Sequence, residues 1–244
     1  MVSTKQLDVT AAADQWEKQL DWLESLKDFT LSDQAGEFLT NGNVYLGGRD
    51  KEGYPSLWVY FGSIKLDQVS TKDLANAMTF AALVCKKFMM VPHYLDKFNV
   101  IFDVNNRGPS SLPMKYLPEI MTLFKDNFNG FNCRSLILNP PFSFSMCWGL
   151  VKKMIPERTQ KKFVILKSKE TPKILEFFDP SQLEVKYLGA EPDYQQGAYW
   201  PPKVFDFLET EILNQENAKG RSIGFFDIWD QESDTSYFFS RKFY

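Results

Sequence analysis

Histidine is almost missing from this 244-residue chain: there is one, His93. A zinc site or a Ser-His-Asp triad would have to run through it. It follows Pro92 ahead of an apolar run, with no second histidine and no cysteine at ligand spacing, so it reads as structural or surface. Cysteine is scarce as well. Cys85, Cys133 and Cys147 are odd in number and far apart, no signal-peptide pattern precedes them, and no Asn-x-Ser/Thr sequon occurs. That usage points to a reducing compartment with thiols packed as small hydrophobes. No apolar run approaches the roughly 18 residues needed to span a bilayer, which leaves peripheral contact as the expected mode of membrane binding. A phosphate loop is lacking too: Gly47-Gly48-Arg49-Asp50-Lys51-Glu52-Gly53 has no Lys-Ser/Thr ending, and its acids would repel a phosphate. It reads as a turn.

A basic surplus is also absent. Lys and Arg total 28 against 31 Asp and Glu, for a net charge of -3, which argues against a nucleic-acid partner because phosphate neutralisation needs clustered cations. The pairs Lys86-Lys87, Lys152-Lys153 and Lys161-Lys162 are separated by apolar stretches. Each reads as a solvated face, or as a contact with an anionic membrane. Asp227, Asp230, Glu232 and Asp234 crowd one terminal segment and read as solvated rather than catalytic. With no triad, metal set or phosphate loop, the expectation is a non-catalytic protein without a cofactor.

Aromatics are what the chain has in quantity: 16%, with 22 Phe, 10 Tyr and 6 Trp. They build a thick core, line a cavity or dock on a partner. Apolar positions Trp16, Leu20, Leu23 and Leu26 recur at helical spacing in the first segment. The cluster of Asn, Gly, Asp and Pro over residues 40–56 is turn chemistry. Leu57 to Phe61 is a continuous apolar run, the mark of a strand buried on both faces. Ser70 or Thr71 can cap a helix carrying Leu74, Met78, Ala81, Ala82 and Cys85. Further strands are expected over 98–104, 135–138 and 162–166, and a short last one over 185–187. Helices are expected over about 112–128, 142–155 and 171–178. Strands alternating with helices imply a largely parallel sheet flanked by helices, an α/β fold. The segment 224–244 gathers Phe225, Phe226, Ile228, Trp229, Tyr237, Phe238, Phe239, Phe243 and Tyr244. So much apolar surface either packs back on the domain or docks on a protein partner.

Several segments, in order, resemble the CRAL-TRIO family of lipid-binding proteins. Asp50-Lys51-Glu52-Gly53-Tyr54-Pro55 is similar to its D-x-x-G-R-P turn, and Ile101-Phe102-Asp103 to its apolar strand ending in Asp. Asn139-Pro140-Pro141-Phe142-Ser143-Phe144-Ser145 resembles its N-A-P-x-x-F-S junction. Thr159 to Leu166 resembles its T-x-x-K-I-x-x-L strand, followed by Asp179-Pro180-Ser181-Gln182-Leu183 and Lys186-Tyr187-Leu188-Gly189. The resemblance implies a helical segment 1–47, a CRAL-TRIO-like mixed sheet domain 48–194 and an aromatic extension 195–244. It further implies an apolar pocket floored by the sheet and roofed by a mobile helix over about 145–155, holding a hydrophobic lipid. Expected lining residues are Trp58, Tyr60, Val100, Phe102, Phe142, Phe144 and Trp148, each of which is alternatively ordinary core.

The headgroup site implied by the resemblance is eroded. Thr159 and Lys162 match the threonine and the phosphate-reading lysine of phosphatidylinositol-binding members, but Gly130 stands where their supporting Glu would be. Leu23-Glu24 replaces a basic pair, Phe98 and Val100 replace a choline-binding Ser/Thr pair, and Leu188 replaces one glycine of a paired-glycine turn. Either the pocket takes a weakly polar lipid, or side chains fill it and the domain serves as an interaction subunit of a larger assembly. The expected location is cytoplasmic or membrane-peripheral, with a mitochondrial one as the alternative.

Overall fold

A computed structural model describes residues 9–26, 31–64, 70–90, 95–105, 130–142 and 157–195, with scattered positions between 120 and 155 and at 197 and 199. His93, Cys147, most of the expected helices over 112–128 and 142–155, and the aromatic tail lie outside the described residues.

Among the described residues one five-stranded sheet runs in the order β1 (Val44–Arg49), β2 (Pro55–Tyr60), β3 (Phe98–Asp103), β4 (Asn132–Leu138) and β5 (Phe163–Leu166). β1 and β2 form an antiparallel hairpin, and β2 through β5 are parallel. The parallel strands fall on the continuous apolar runs, as burial on both faces requires. β1 corrects the reading of residues 40–56 as turn alone: turns fall at residues 41–43 and 50–54, and the expected boundary at 48 cuts the strand between them. Gly47 and Gly48 are strand residues chosen for close approach. A Cβ on Gly47 would stand 2.3 Å from the Trp58 indole nitrogen, and one on Gly48 would meet the Gln182 backbone oxygen at 2.3 Å.

Helices α1 (Val9–Ser25), α2 (Asp33–Thr40) and α3 (Thr71–Phe88) precede β3, and a single turn, α4 (Glu157–Gln160), precedes β5. α1 falls on the segment with helical spacing, and its apolar side chains are unevenly covered: Trp16 and Leu20 are exposed, while Leu26, just past its end, is buried and Trp22 meets Phe128 edge-on at 5.4 Å. α2 is capped by Ser32, whose hydroxyl accepts from the Ala35 N–H at 3.2 Å. Ser70 takes the cap position of α3 but makes no side-chain cap bond. From Ala77 to Cys85 every residue of α3 is buried, the pattern of a helix covered on all sides. Cys85 is among them, and burial pushes its thiol up to about 12.

The sheet divides the core. Leu57, Val59, Val100 and Ile137 pack with α2 and α3, whereas Trp58, Ile101, Leu136, Leu138 and Leu166 pack with the return segment 168–194. That segment is a chain of 3₁₀ turns, Ser168–Glu176, Pro180–Gln182 and Val185–Tyr187. The last of these replaces the expected strand over 185–187, and the first takes the place of the helix expected over 171–178. Asp179 caps the second turn by accepting from the Ser181 N–H at 2.9 Å.

Leu188 sits in the left-handed region at φ 65° and is half exposed. A left-handed L-residue costs about 1–2 kcal/mol, and glycine's extra unfolded-state freedom offsets about half of that. Leu188→Gly relieves about 0.5–1 kcal/mol of net strain but gives up about 1 kcal/mol of half-buried side chain, so its urea midpoint should stay close to the parent's at constant m-value. Gly189 next to it admits no such exchange, since a Cβ there would lie 1.8 Å from the Leu183 carbonyl oxygen.

Candidate functional site

Strand register decides which of the expected lining residues share a face. Leu57 pairs with Val100, Trp58 with Ile101, Val59 with Phe102 and Tyr60 with Asp103. Val100 and Phe102 therefore point to the α3 side, and Trp58 and Tyr60 to the opposite side. Trp58 is sealed there, stacked on Tyr187 at 4.5 Å between ring centroids. The seven residues do not line one cavity, because a strand turns successive side chains to opposite faces. Phe142 departs as well: it is 99% exposed.

Val100, Phe102, Phe144 and Trp148 do come together. Phe144 is buried and stacks on Trp148 at 5.9 Å, and Trp148 meets Phe163 of β5 at 4.9 Å. These contacts join the segment after Pro140-Pro141 to β5, the last strand in the sheet order among the described residues. The α3 face is graded in cover. Leu57, Val59 and Val100 are fully buried, whereas Phe102, Phe163, Ile165 and Trp148 remain half-buried. The half-covered residues are Phe102 on β3 and Phe163 and Ile165 on β5, on either side of the buried Ile137 of β4. Phe163 and Ile165 went unremarked as lining in the sequence; the alternation of β5 carries the signal once its phase against Phe102 is known.

Thr159 and Lys162 sit at the other end of the strands. Thr159 lies in α4, and its carbonyl accepts from the Lys162 N–H at 3.0 Å. The Lys162 ammonium donates to the backbone carbonyl of Asn132 at 2.5 Å. Burial, with the charges of Arg158 and Lys97, holds this lysine below its usual range. Gly130 adopts φ 89° and its Cβ position faces open space. Space alone would admit a larger residue there; the left-handed backbone is what favours glycine. Lys86, expected on a solvated face, instead lies 4.5 Å over the Phe131 ring, and burial lowers its pKa.

Among the described residues no three His, Cys, Asp or Glu side chains gather as a metal site, and no helix is long and apolar enough to cross a membrane.

A family model described as the CRAL/TRIO domain matches residues 39–189, all five strands and the 3₁₀ return included. The chain belongs to the CRAL/TRIO domain family. Patellin-6 of Arabidopsis thaliana is 26% identical over 238 residues, covering 88% of this CRAL/TRIO chain and 58% of Patellin-6. The phosphatidylinositol/phosphatidylcholine transfer protein SFH4 of the same plant is 26% identical over 235 residues, covering 88% of this chain and 38% of that protein. The chain thus spans less than two thirds of either relative. The crystal structure of Sfh5 aligns with a TM-score of 0.54 at 14% identity, covering 65% of this chain and 58% of that one. This is a likeness of fold. CRAL/TRIO relatives include proteins named for lipid transfer.

Proposed function

We propose that this CRAL/TRIO chain binds and carries a hydrophobic lipid, without catalysing a reaction on it. One observation carries the reading: Phe102, Phe163, Ile165 and Trp148 stay half-buried on a sheet face that is elsewhere sealed. Apolar surface at the edge of a core is costly to leave wet, at about 25 cal/mol per Å2. A lipid tail gains about 0.8 kcal/mol for each CH2 it buries against such a surface. Capture and release need no chemistry, only transient contact with a membrane, so the working location is membrane-peripheral.

The ligand's headgroup is weakly polar. Reading a phosphate takes charge-assisted donors held for that purpose. Here the Lys162 ammonium is bonded to the Asn132 carbonyl, and Gly130 supplies no carboxylate to orient it.

The test is extraction of the natively purified chain into organic solvent, followed by mass spectrometry. About one lipid per chain is expected, with uptake of a fluorescent lipid from neutral vesicles once the protein is stripped. Protein that carries no lipid and takes none from vesicles would overturn the reading. The chain would then be an interaction subunit whose partner meets the aromatic segment 224–244. Loss of that partner on truncation at residue 223 would support this alternative.

A further inference from the structure

The opposite side of the sheet borders a recess that is independent of the lipid reading. At the carboxyl ends of β2, β3 and β4, a cleft of about 270 Å3 opens to solvent. Tyr60 ends β2, Asp103 ends β3 and Asn139 follows β4; Lys186, Tyr187 and Tyr199 close the cleft from the return segment. Carboxyl ends of parallel strands are where α/β sheets leave room for ligands. All the same, this cleft lies away from the face of Phe102 and Ile165.

Its walls are polar and fixed. One carboxylate oxygen of Asp103 accepts from the Asn105 backbone N–H at 2.9 Å and the Asn139 side-chain amide at 3.0 Å. The other accepts from the Tyr187 hydroxyl at 2.9 Å. Thr171 donates to the Asn139 side-chain oxygen at 2.9 Å, so that amide is pinned at both ends. Asn139 is held at φ 55°, a conformation asparagine tolerates better than most residues and one that recurs at functional positions. Burial keeps the Tyr187 phenol protonated by pushing its pKa well up.

Charge selects among ligand classes. The Lys186 ammonium pairs with Glu184 at 2.8 Å and donates to the Tyr199 hydroxyl at 3.0 Å. Burial alone would lower its pKa, but these bonds hold it above the ordinary lysine value. The ammonium also lies 5.3 Å from the Tyr187 ring centre and 5.4 Å from that of Tyr199. An entering anion would meet Asp103 and Glu184 against a lysine already paired. A cation would find the tyrosine faces occupied by the chain's own ammonium. Amide, hydroxyl and carboxylate lone pairs beside the edges of tyrosine rings remain, and these complement an uncharged ring bearing several hydroxyls. The volume falls just short of the roughly 300 Å3 at which drug-sized pockets begin, which limits the guest to one ring.

We propose that this cleft binds a small neutral polyol, a single cyclitol or monosaccharide ring. The same chemistry can arrive as a free sugar or as the headgroup of a neutral glycolipid. The test is a titration of the 15N-labelled full chain with myo-inositol and with glucose, followed by amide chemical shifts. Saturable shifts at Ser63, Asn105 and Asn139 are expected. Asn105 and Ser63 are exposed at the rim, so Asn105→Trp and, separately, Ser63→Trp should block entry without unfolding the chain and weaken binding at least about tenfold. Vesicles bearing a monoglucosyl lipid give the same shifts if the source is a headgroup; silence from vesicles with a response to free sugar assigns a soluble one. Either result upholds the proposal. No shift with either polyol up to about 0.1 M, where a millimolar site would be filled, overturns it. So does a response to inorganic phosphate or choline in their place, or polyol shifts that both tryptophan variants leave unchanged. None of these readouts depends on the lipid face, so the two proposals fail separately.

Discussion

Asp50→Ala lowers the free energy of unfolding by about 3–5 kcal/mol, the cost of breaking a buried ionic network from one side. Asp50 is 5% exposed. One carboxylate oxygen accepts from the backbone N–H groups of Glu52 and Tyr54 at 3.0 and 2.9 Å, closing the turn between β1 and β2. The other accepts from the Asn99 amide at 2.8 Å and from Arg134 at 3.3 Å, which ties that turn to β3 and β4. Arg134 keeps some solvent access, so its pairing counts for little by itself. Asn99 and the turn amides carry the cost. Asn99 is fully buried, its side-chain oxygen already lacks a donor, and without Asp50 its amide keeps only a 3.4 Å contact to the Tyr54 carbonyl. A buried donor without an acceptor costs about 1–3 kcal/mol. Asp50→Asn separates the two halves of the network. Its oxygen can still close the turn, but its amide would face the Asn99 amide and the Arg134 guanidinium, donor against donor. It should lose nearly as much as alanine in urea unfolding. A loss under about 1 kcal/mol for Asp50→Ala, the worth of an exposed pair, would refute the network account.

That network was half legible in the sequence. Asp50 and Gly53 announced a turn, but nothing in a linear string shows that the Asp50 carboxylate also reaches Asn99 and Arg134, which belong to strands 49 and 84 residues away. The parallel strands were legible because a strand buried on both faces needs a continuous apolar run, and β2 through β5 have one. β1 was hidden by Gly47 and Gly48. Their role is to let Trp58 and Gln182 come close, a reason that exists only after folding. The phase between strands was illegible too. Val100 and Phe102 share their face with Phe144 and Trp148, but Trp58 and Tyr60 do not, since one residue of register exchanges every inward and outward side chain. Lys162 could be marked by motif. Its partner, a backbone carbonyl at Asn132, could not, because every residue carries that acceptor. The same holds for the cleft at the carboxyl ends: Asp103 and Lys186-Tyr187 belong to segments that could be marked, and only the fold shows that they meet.

Two neighbours on β5 turn the face argument into a measurement with a large effect. Ile165 packs on the α3 side with Phe102 and Phe163, whereas Val164 packs on the side of the return segment. Both are half-buried on the last strand in the sheet order among the described residues, where a charged side chain can bend towards water. Ile165→Glu and Val164→Glu should therefore cost similar stability, about 1–3 kcal/mol each. Their effects on lipid should diverge. A carboxylate beside an acyl chain loses hydration with no partner to replace it, a penalty of several kcal/mol. Ile165→Glu should then cut lipid occupancy at least about 100-fold, equivalent to about 2.7 kcal/mol. Val164→Glu points away from the chain and should stay within about threefold of the parent, under 1 kcal/mol. Thermal melts of the two variants set the fold aside as a cause, and vesicle uptake of a fluorescent lipid reads the difference. Equal loss of lipid by two folded variants would mean that the binding surface is not the face of Ile165. Equal retention would mean that β5 takes no part in it, and the half-covered residues would need another occupant.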